Sequence, residues 1–310
     1  MRPVAYPPGV PRRTLARILE LLNRPNGAGK STTVKILTTL SRPDSGEARV
    51  AGLDVVRNPE RVRRSIGVVG QKHGLDPEST GRENLEMQAE IYGLTGSARR
   101  ERVEQLLERF GLAEAAGRIA KTYSGGMQRR LDVALGLVQQ PKVLFLDEPT
   151  TGLDPEARVE LWREIERLAG EEEMTILLTT HYLEEADRLA ARLAIVDRGR
   201  VVAEGTPEQL KSELRGDTVQ VELAESSNGN AVAALQGLPG LSGLSVEGRV
   251  LRARAENGAA AVPSVLAALE QGGLQVASAT VARPSLDDVY LRHAGRSFQQ
   301  ADTDDREEAA

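Results

Sequence analysis

Two adjacent carboxylates, Asp147 and Glu148, follow the apolar run 143–146. An apolar run of this length predicts a buried strand, and carboxylates at its end can hold a magnesium ion and activate a water molecule. Upstream, Ser124-Gly125-Gly126 opens a predicted helix, where free backbone N–H groups form an anion site. These segments together predict hydrolysis of a magnesium-bound nucleotide.

A glycine-rich segment near the start supplies a second phosphate-binding element, with the residues Asn26, Gly27, Ala28, Gly29, Lys30, Ser31 and Thr32. Glycines let backbone N–H groups close around phosphates, so Lys30 would reach the β- and γ-phosphates and Ser31 would ligate Mg²⁺. Thr32 is expected beside the α-phosphate.

The glycine-rich motif departs from its usual form at one position. It calls for glycine six positions before Lys30, where this chain has Arg24. A non-glycine residue in left-handed geometry costs about 1–2 kcal/mol, which predicts a weakened site rather than a lost one. The Arg24 guanidinium either recovers part of that loss near the phosphates or blocks the turn by its bulk.

The elements that must position these residues alternate along the chain. Apolar runs predict strands at residues 16–22, 48–55, 66–69, 143–146, 175–178 and 193–196. Helical patterns lie at residues 31–39, 59–64, 81–136 and from Pro155 onward. Alternating strands and helices predict an α/β fold with a parallel core sheet.

A change of character near residue 215 predicts a second domain. Strands are expected at 218–223, 243–247, 250–254 and 274–281, and helices at 229–237 and 258–271. This order suggests a small α+β domain of ferredoxin-like type. The predicted organisation is disorder at 1–15, an ATPase domain at 16–215 with a helical subdomain at about 76–140, the small domain at 217–295, and an acidic disordered tail at 296–310.

The composition excludes several classes of protein. The 310 residues are 40% hydrophobic and 27% charged, with a net charge of −5 and no cysteine. The charge argues against a nucleic-acid partner, and the missing cysteines exclude disulfides and thiolate metal sites. The lack of cysteine also fits a cytosolic protein. No window approaches 18 consecutive apolar residues and no apolar region follows the basic start, so we expect neither a membrane span nor a signal peptide.

The glycine loop, the Ser124-Gly125-Gly126 turn and the Asp147–Glu148 strand end, in this order, resemble the ATP-binding cassette (ABC) ATPases over roughly residues 18 to 295. The resemblance implies a P-loop NTPase fold of ABC type whose antiparallel β part is truncated. It also implies that Asp147 holds Mg²⁺ through water and that Glu148 is the general base.

Further site residues follow from the same resemblance. His181 matches the switch histidine that hydrogen-bonds the γ-phosphate, and Gln71 matches the glutamine that senses Mg²⁺. The turn at Ser124, Gly125 and Gly126 would serve the γ-phosphate bound by a second copy, and Asp154 would contact the opposite nucleotide site. Two ATP molecules would thus be sandwiched in a homodimer.

The segments 80–85 and 284–291, with Met127 where many ABC proteins carry glutamine, resemble the daunorubicin-resistance branch of exporters. That likeness implies an ATPase subunit at the cytoplasmic face of the cell membrane. The subunit would dock through residues 81–123 onto a separate ABC-2-type permease, to export a drug or antibiotic.

Two alternatives remain open at this point. Only 23 residues precede Arg24, and Tyr6 lies in a poor strand for stacking on adenine, which would suit a degenerate chain with impaired ATP binding. The other alternative is a soluble ABC ATPase acting on nucleic acid or ribosomes. It is disfavoured because the chain lacks cysteines for zinc, holds a single cassette, and has no room for a coiled coil between Ser31 and Ser124.

Overall fold

The computed structural model describes residues 18–23, 30–172, 174–197, 199–214, 216–226 and 230–294, without the side chains of 18–23, 30, 31 and 294. The chain divides into a first unit that ends at Pro207 and a second that begins at Glu208. This division lies before the predicted boundary near residue 215, because the short helix that follows Pro207 belongs to the second unit. No helix within the described residues is long and apolar enough to cross a bilayer.

A six-stranded sheet forms the centre of the first unit. The strands of this unit are β1 (Ile18–Asn23), β2 (Arg49–Val50), β3 (Leu53–Asp54), β4 (Ile66–Val69), β5 (Val143–Asp147), β6 (Thr175–Thr180), β7 (Arg192–Asp197) and β8 (Arg200–Gly205). The order in the sheet is β4-β5-β6-β1-β7-β8, with β8 antiparallel to β7 and all other neighbours parallel. Strands β2 and β3 form a separate hairpin.

Helices pack on both faces of this sheet. The helices of this unit are α1 (Lys30–Leu37), α2 (Pro59–Arg63), α3 (Gly81–Ile91), α4 (Gly96–Arg109), α5 (Gly125–Leu137), α6 (Pro155–Gly170) and α7 (Leu183–Leu189). Two of them, α3 and α4, pack on each other, with α3 also against α5. Alternate residues of β5 enter different cores: Leu144 and Leu146 pack with α5 and α6, whereas Phe145 packs with α1 and α2. A sheet buried on both faces explains why its parallel strands are continuous apolar runs.

Helix α5 packs closely on strand β4 because both carry glycine at the contact. A Cβ added to Gly67 would lie 2.1 Å from the carbonyl oxygen of Gly136. Real side chains do not approach a backbone oxygen so closely. The contact therefore requires glycine at position 67 and holds the helix that begins after Ser124 directly against the sheet.

The sequence pattern was wrong over residues 48–55, where the structure has the β2–β3 hairpin instead of one strand. Ala51 and Gly52 both have positive φ, 50° and 79°, and this backbone favours a tight two-residue hairpin turn. The pattern also missed helix α7 and strand β8. Both are short, and β8 lies at the edge of the sheet with exposed residues, so its hydrophobic signal is weak.

The second unit contains a four-stranded antiparallel sheet. Its elements are α8 (Pro207–Ser212), β9 (Asp217–Leu223), α9 (Asn230–Leu235), β10 (Leu241–Glu247), β11 (Val250–Ala255), α10 (Gly258–Gln271), β12 (Val276–Ala282) and α11 (Leu286–Ala294). The order β10-β11-β9-β12, with α9 and α10 as the crossovers, is the connectivity of a ferredoxin-like unit. Its own core lies between the sheet and these two helices.

The C-terminal segment that resembles the exporter branch anchors helix α11 to this sheet. Asp288 accepts hydrogen bonds from the amide of Ser285 at 2.8 Å and from the hydroxyl of Thr218 on β9 at 3.3 Å. Asp287 accepts from Arg252 Nη1 on β11 at 2.8 Å. Ser285 Oγ in turn accepts from the amide of Asp288 at 3.2 Å, so these two residues cap the helix and both aspartates tie it to the sheet.

Candidate active site

The carboxyl ends of four neighbouring parallel strands meet at one edge of the large sheet. Gln71 follows β4, Asp147 ends β5 and is followed by Glu148, and His181 follows β6. Strand β1 lies beside β6, and helix α1 begins shortly after it at Lys30. Ligands of open parallel sheets bind at this edge, so the fold gathers the predicted catalytic residues where a nucleotide can bind.

The predicted catalytic side chains converge on one carboxylate oxygen. Gln71 Nε2 donates a hydrogen bond to Glu148 Oε2 at 3.1 Å, and His181 Nδ1 lies 3.4 Å from the same oxygen. The side chains of Glu148 and His181 are 16% and 26% exposed, so the cluster borders solvent without being fully open to it. A water molecule can therefore reach a carboxylate that is already held in place.

The backbone at Glu148 has a left-handed conformation that is unusual for glutamate. Its φ is +48°, a geometry that costs about 1–2 kcal/mol for a residue with a Cβ. Thr179 on β6 stabilises it, since the Glu148 amide donates to the Thr179 carbonyl at 3.0 Å and to its hydroxyl at 3.1 Å. The same hydroxyl donates to Asp147 Oδ1 at 2.5 Å. Strain concentrated at a candidate base supports a functional role.

The Ser124-Gly125-Gly126 turn begins helix α5, as the sequence predicts. Ser124 is the N-cap, and its Oγ accepts from the amide of Met127 at 3.2 Å. A Cβ on Gly126 would lie 2.9 Å from Ala157 Cβ, so the first turn of α5 packs on the first turn of α6. Asp154 caps α6 by accepting from the amide of Ala157 at 2.9 Å. The structure thus places the two segments predicted to face a second copy side by side.

The glycine loop itself is only partly within the described residues. Lys30 and Ser31 begin α1, and Thr32 follows as an exposed residue of its first turn. The following residues lie outside the described part of the chain: Tyr6, Arg24, Asn26, Gly27, Ala28 and Gly29. The roles assigned to these residues, and to the side chains of Lys30 and Ser31, stay predictions.

Two buried charges on α5 belong to the site but were not predicted. Arg129, 4% exposed, donates from its guanidinium to the backbone carbonyls on either side of Glu148 and to the one that precedes Gln71. Burial lowers the pKa of Arg129, and the nearby charge of Asp132 opposes that change. The sequence could have indicated these two residues only as charges within an otherwise apolar helix, and a single sequence does not reveal the partners of such charges.

A buried carboxyl group supports the segment that carries His181. Glu185 on α7 has no exposed surface and accepts a hydrogen bond from Trp162 Nε1 at 2.8 Å. This hydrogen bond links α7, the helix that follows His181, to α6. Burial raises the pKa of Glu185, which favours the neutral acid.

The strand-edge cluster and the capped glycine turn define the class of protein: a P-loop ATPase of the ABC type. Residues 22–151 match the family model of the ABC transporter. Residues 205–294 match the model of the C-terminal domain of DrrA1-3-like ATP-binding proteins. The chain belongs to the ATP-binding subunits of ABC transporters and is an ATPase.

Relatives and solved structures agree with this membership. The chain is 46% identical over 271 residues to the daunorubicin resistance ATP-binding protein DrrA3 of Streptomyces coeruleorubidus, covering 87% of this chain and 85% of that protein. It is 34% identical to the linearmycin resistance ATP-binding protein LnrL of Bacillus subtilis, with 89% of each chain covered. The dimeric ATP-binding cassette MJ0796 bound to ADP and Pi superposes with a TM-score of 0.55 and 27% identity, over 61% of this chain and 84% of that one.

The predicted family and fold are therefore confirmed. The comparisons do not favour either alternative from the sequence, a degenerate chain or a soluble ABC ATPase that acts on nucleic acid or ribosomes.

Proposed function

We propose that ATP hydrolysis by this chain drives a separate membrane permease that exports a drug or antibiotic. The observation that carries the catalytic part is the convergence of Gln71 and His181 on the Glu148 carboxylate. The export part is supported by the relatives, whose names assign them to daunorubicin and linearmycin resistance.

Glu148 is the general base in this proposal. Its carboxylate would accept a proton from the water that attacks the γ-phosphate, and the Gln71 amide keeps the carboxylate oriented. His181 lies next to the same carboxylate and would hydrogen-bond the γ-phosphate and the attacking water. The left-handed backbone at Glu148, held by Thr179, fixes the base before the substrate binds.

The residues at the sheet edge suit a magnesium ion that arrives with the nucleotide. Asp147, the Gln71 amide oxygen and the Ser31 hydroxyl are hard oxygen donors, which Mg²⁺ prefers together with phosphates and water. Among the described residues there is no group of three His, Cys, Asp or Glu that could hold a metal alone. The ion would neutralise phosphate charge when bound, and Asp147 would reach it through water.

The active unit is proposed to be a dimer that encloses two ATP molecules. Exposed Ser124 stands at the N-terminus of α5, whose free N–H groups and positive dipole end attract an anion. Asp154, also exposed, lies in the adjoining loop. Both segments would contact the nucleotide held by the second copy. The dimeric state of the similar cassette bound to ADP and Pi supports this arrangement.

A groove in the first unit is the proposed docking site for the permease. The groove has a volume of about 870 Å³ and lies between α1, α2 and β4 on one side and the end of α3 on the other. Leu40 and Ile91 line it with exposed fractions of 72% and 69%, beside Arg63 and Arg64. An amphipathic cytoplasmic helix with an apolar face and acidic residues would complement it. Docking would place the chain at the cytoplasmic face of the membrane, and the likeness to the exporter branch favours an ABC-2-type permease.

The proposal is tested by measuring ATP hydrolysis and ATP binding in Glu148→Gln. Turnover should fall by about 10²–10⁴-fold, the contribution of a general base, while the affinity for ATP is unchanged. The exposed Glu156 offers a matched control, because Glu156→Gln removes one surface carboxylate from the next helix. Equal turnover in both variants, or a parallel loss of ATP binding in Glu148→Gln, would contradict the assigned role.

A further inference from the structure

Helix α5 carries two buried charges one turn apart, behind its N-terminal turn. Arg129 and Asp132 are each only 4% exposed. Residues three apart share one face of a helix, so both point to the same neighbours. The other buried residues of α5 are apolar apart from Gly136. Buried charges are costly unless their contacts compensate, so these contacts show what the helix holds.

The guanidinium of Arg129 bridges the two loops that carry the catalytic side chains. It donates to three backbone carbonyl oxygens: from Nε to Pro149 at 2.6 Å, from Nη1 to Gly70 at 2.8 Å and from Nη2 to Asp147 at 3.3 Å. Two of these carbonyls flank Glu148, and the third immediately precedes Gln71. The rigid fork of an arginine therefore fixes the spacing of the two loops.

Asp132 attaches the loop after β4, which contains Gln71, to α5 at a second point. Its Oδ1 accepts from the amide of Gly74 at 2.9 Å, and its Oδ2 contacts His73 Nδ1. The Oδ2 atom also lies 3.7 Å from Arg129 Nη1, so the two charges compensate each other. Residues 70–74, which include Gln71, are thus held to α5 at both ends.

These contacts join two parts of the site that would serve different nucleotides in the proposed dimer. The N-terminus of α5 carries Ser124, and its buried face holds the loops of Gln71 and Glu148. We propose that Arg129, assisted by Asp132, is a positioning residue that couples the Ser124 turn to the catalytic residues of the same copy. The inference rests on the proposed two-copy ATP sandwich, in which the Ser124 turn contacts the partner's nucleotide.

The test uses mixed dimers in which a single nucleotide site remains complete. One copy carries Ser124→Arg, and its partner carries Lys30→Ala. Two different affinity tags isolate the mixed dimer. The complete site then has Lys30 and Glu148 from the first copy and Ser124 from the second. Arg129→Met, which keeps the volume and removes the donors, is introduced into either copy alone.

If Arg129 couples the Ser124 turn to the catalytic loops, Arg129→Met gives different kinetic results in the two copies. In the copy that supplies Glu148, Arg129→Met loosens the catalytic loops, and kcat falls at least tenfold with little change in KM for ATP. In the copy that supplies Ser124, the turn is presented less firmly, and KM rises severalfold. If Arg129 only stabilised the fold, the variant would change kcat and KM in the same way whichever copy carried it.

Arg130→Met is the matched control, because Arg130 is the next residue of α5 and does not contact the catalytic loops. Its Nη1 donates to the carbonyl of Phe110 at 3.3 Å. Arg130→Met should leave both constants unchanged in either copy. If Arg129→Met fails to fold, Arg129→Lys retains a charged donor and should show the same split with smaller changes.

Two outcomes have distinct meanings. Equal kinetics for the Arg129 and Arg130 variants, or identical effects from both placements, would overturn the coupling proposed for Arg129. A mixed dimer that hydrolyses no ATP even with native Arg129 would instead count against the two-copy site. ATP hydrolysis by the mixed dimer with native Arg129 is measured before Arg129 is changed, so the two failures cannot be confused.

Discussion

Replacing Glu185 by glutamine tests whether the carboxyl group beneath the His181 segment is neutral in the folded protein. Glu185 is fully buried and accepts a hydrogen bond from Trp162 Nε1 at 2.8 Å. Burial raises its pKa above the ordinary value for glutamate. The neutral form therefore persists to higher pH in the folded chain than in the unfolded chain, and glutamine imitates that form without titrating.

The expected size of the effect follows from proton linkage. Below the ordinary pKa of glutamate, both the folded and the unfolded chain bind the proton, so the stability difference between native protein and Glu185→Gln is constant. Above it, only the folded chain keeps the proton. The native free energy of unfolding then falls relative to the variant by about 1.4 kcal/mol per pH unit. The difference becomes constant again above the raised folded pKa.

Urea unfolding followed by tryptophan fluorescence measures this difference directly. Trp162 is the single tryptophan of the chain and the hydrogen-bond donor to Glu185, so the signal reports the unit in question. Unfolding free energies are compared between about pH 5 and pH 8. The exposed neighbour Glu184 provides the control variant Glu184→Gln, which should not show the slope. A native-minus-Glu185→Gln difference that does not change with pH would refute the neutral carboxyl group.

Two further predictions concern surfaces of the first unit. Ile91→Asp should abolish co-purification with the cognate permease and leave the basal ATPase rate unchanged. The control Val201→Asp, at another exposed apolar position, should alter neither property. Equal loss of co-purification in both variants would contradict the docking groove. Gly126→Ala should lower the melting temperature and weaken ATP-driven dimerisation, because its Cβ would lie 2.9 Å from Ala157 Cβ. Adding Ala157→Gly should restore both properties, and a lack of rescue would mean that this contact is not the cause.

The sequence was sufficient for those parts of the site that depend on strand ends. Asp147 and His181 follow strongly apolar runs, and in a parallel sheet such ends meet at one edge. Ser124 is followed by two glycines before an apolar helix, which predicts the N-cap that the structure has. Each of these signals consists of residues that are adjacent along the chain, so a single sequence contains them.

The contacts that hold the site could not be predicted in the same way. Arg129 reaches carbonyls of residues 70 and 149, which are remote in sequence and carry no side-chain signal. Thr179 supports Glu148 through its backbone as well as its hydroxyl, and a β-branched threonine is ordinary in a strand. The hairpin at Ala51 was missed because positive φ at alanine opposes its intrinsic preference.

The position of β1 in the large sheet has a consequence for how the chain reaches its native state. This first strand lies between β6 and β7, and Ile18 is paired with Ile176. During synthesis, this strand emerges long before either neighbour. It stays unpaired until β6 has been made, and its second edge stays open until β7 follows. Closing such distant contacts is slow and leaves strand edges exposed to other nascent chains. The second unit, whose strands pair within one continuous segment, has no comparable delay. Premature termination before residue 175 would therefore leave β1 without either of its neighbours in the sheet.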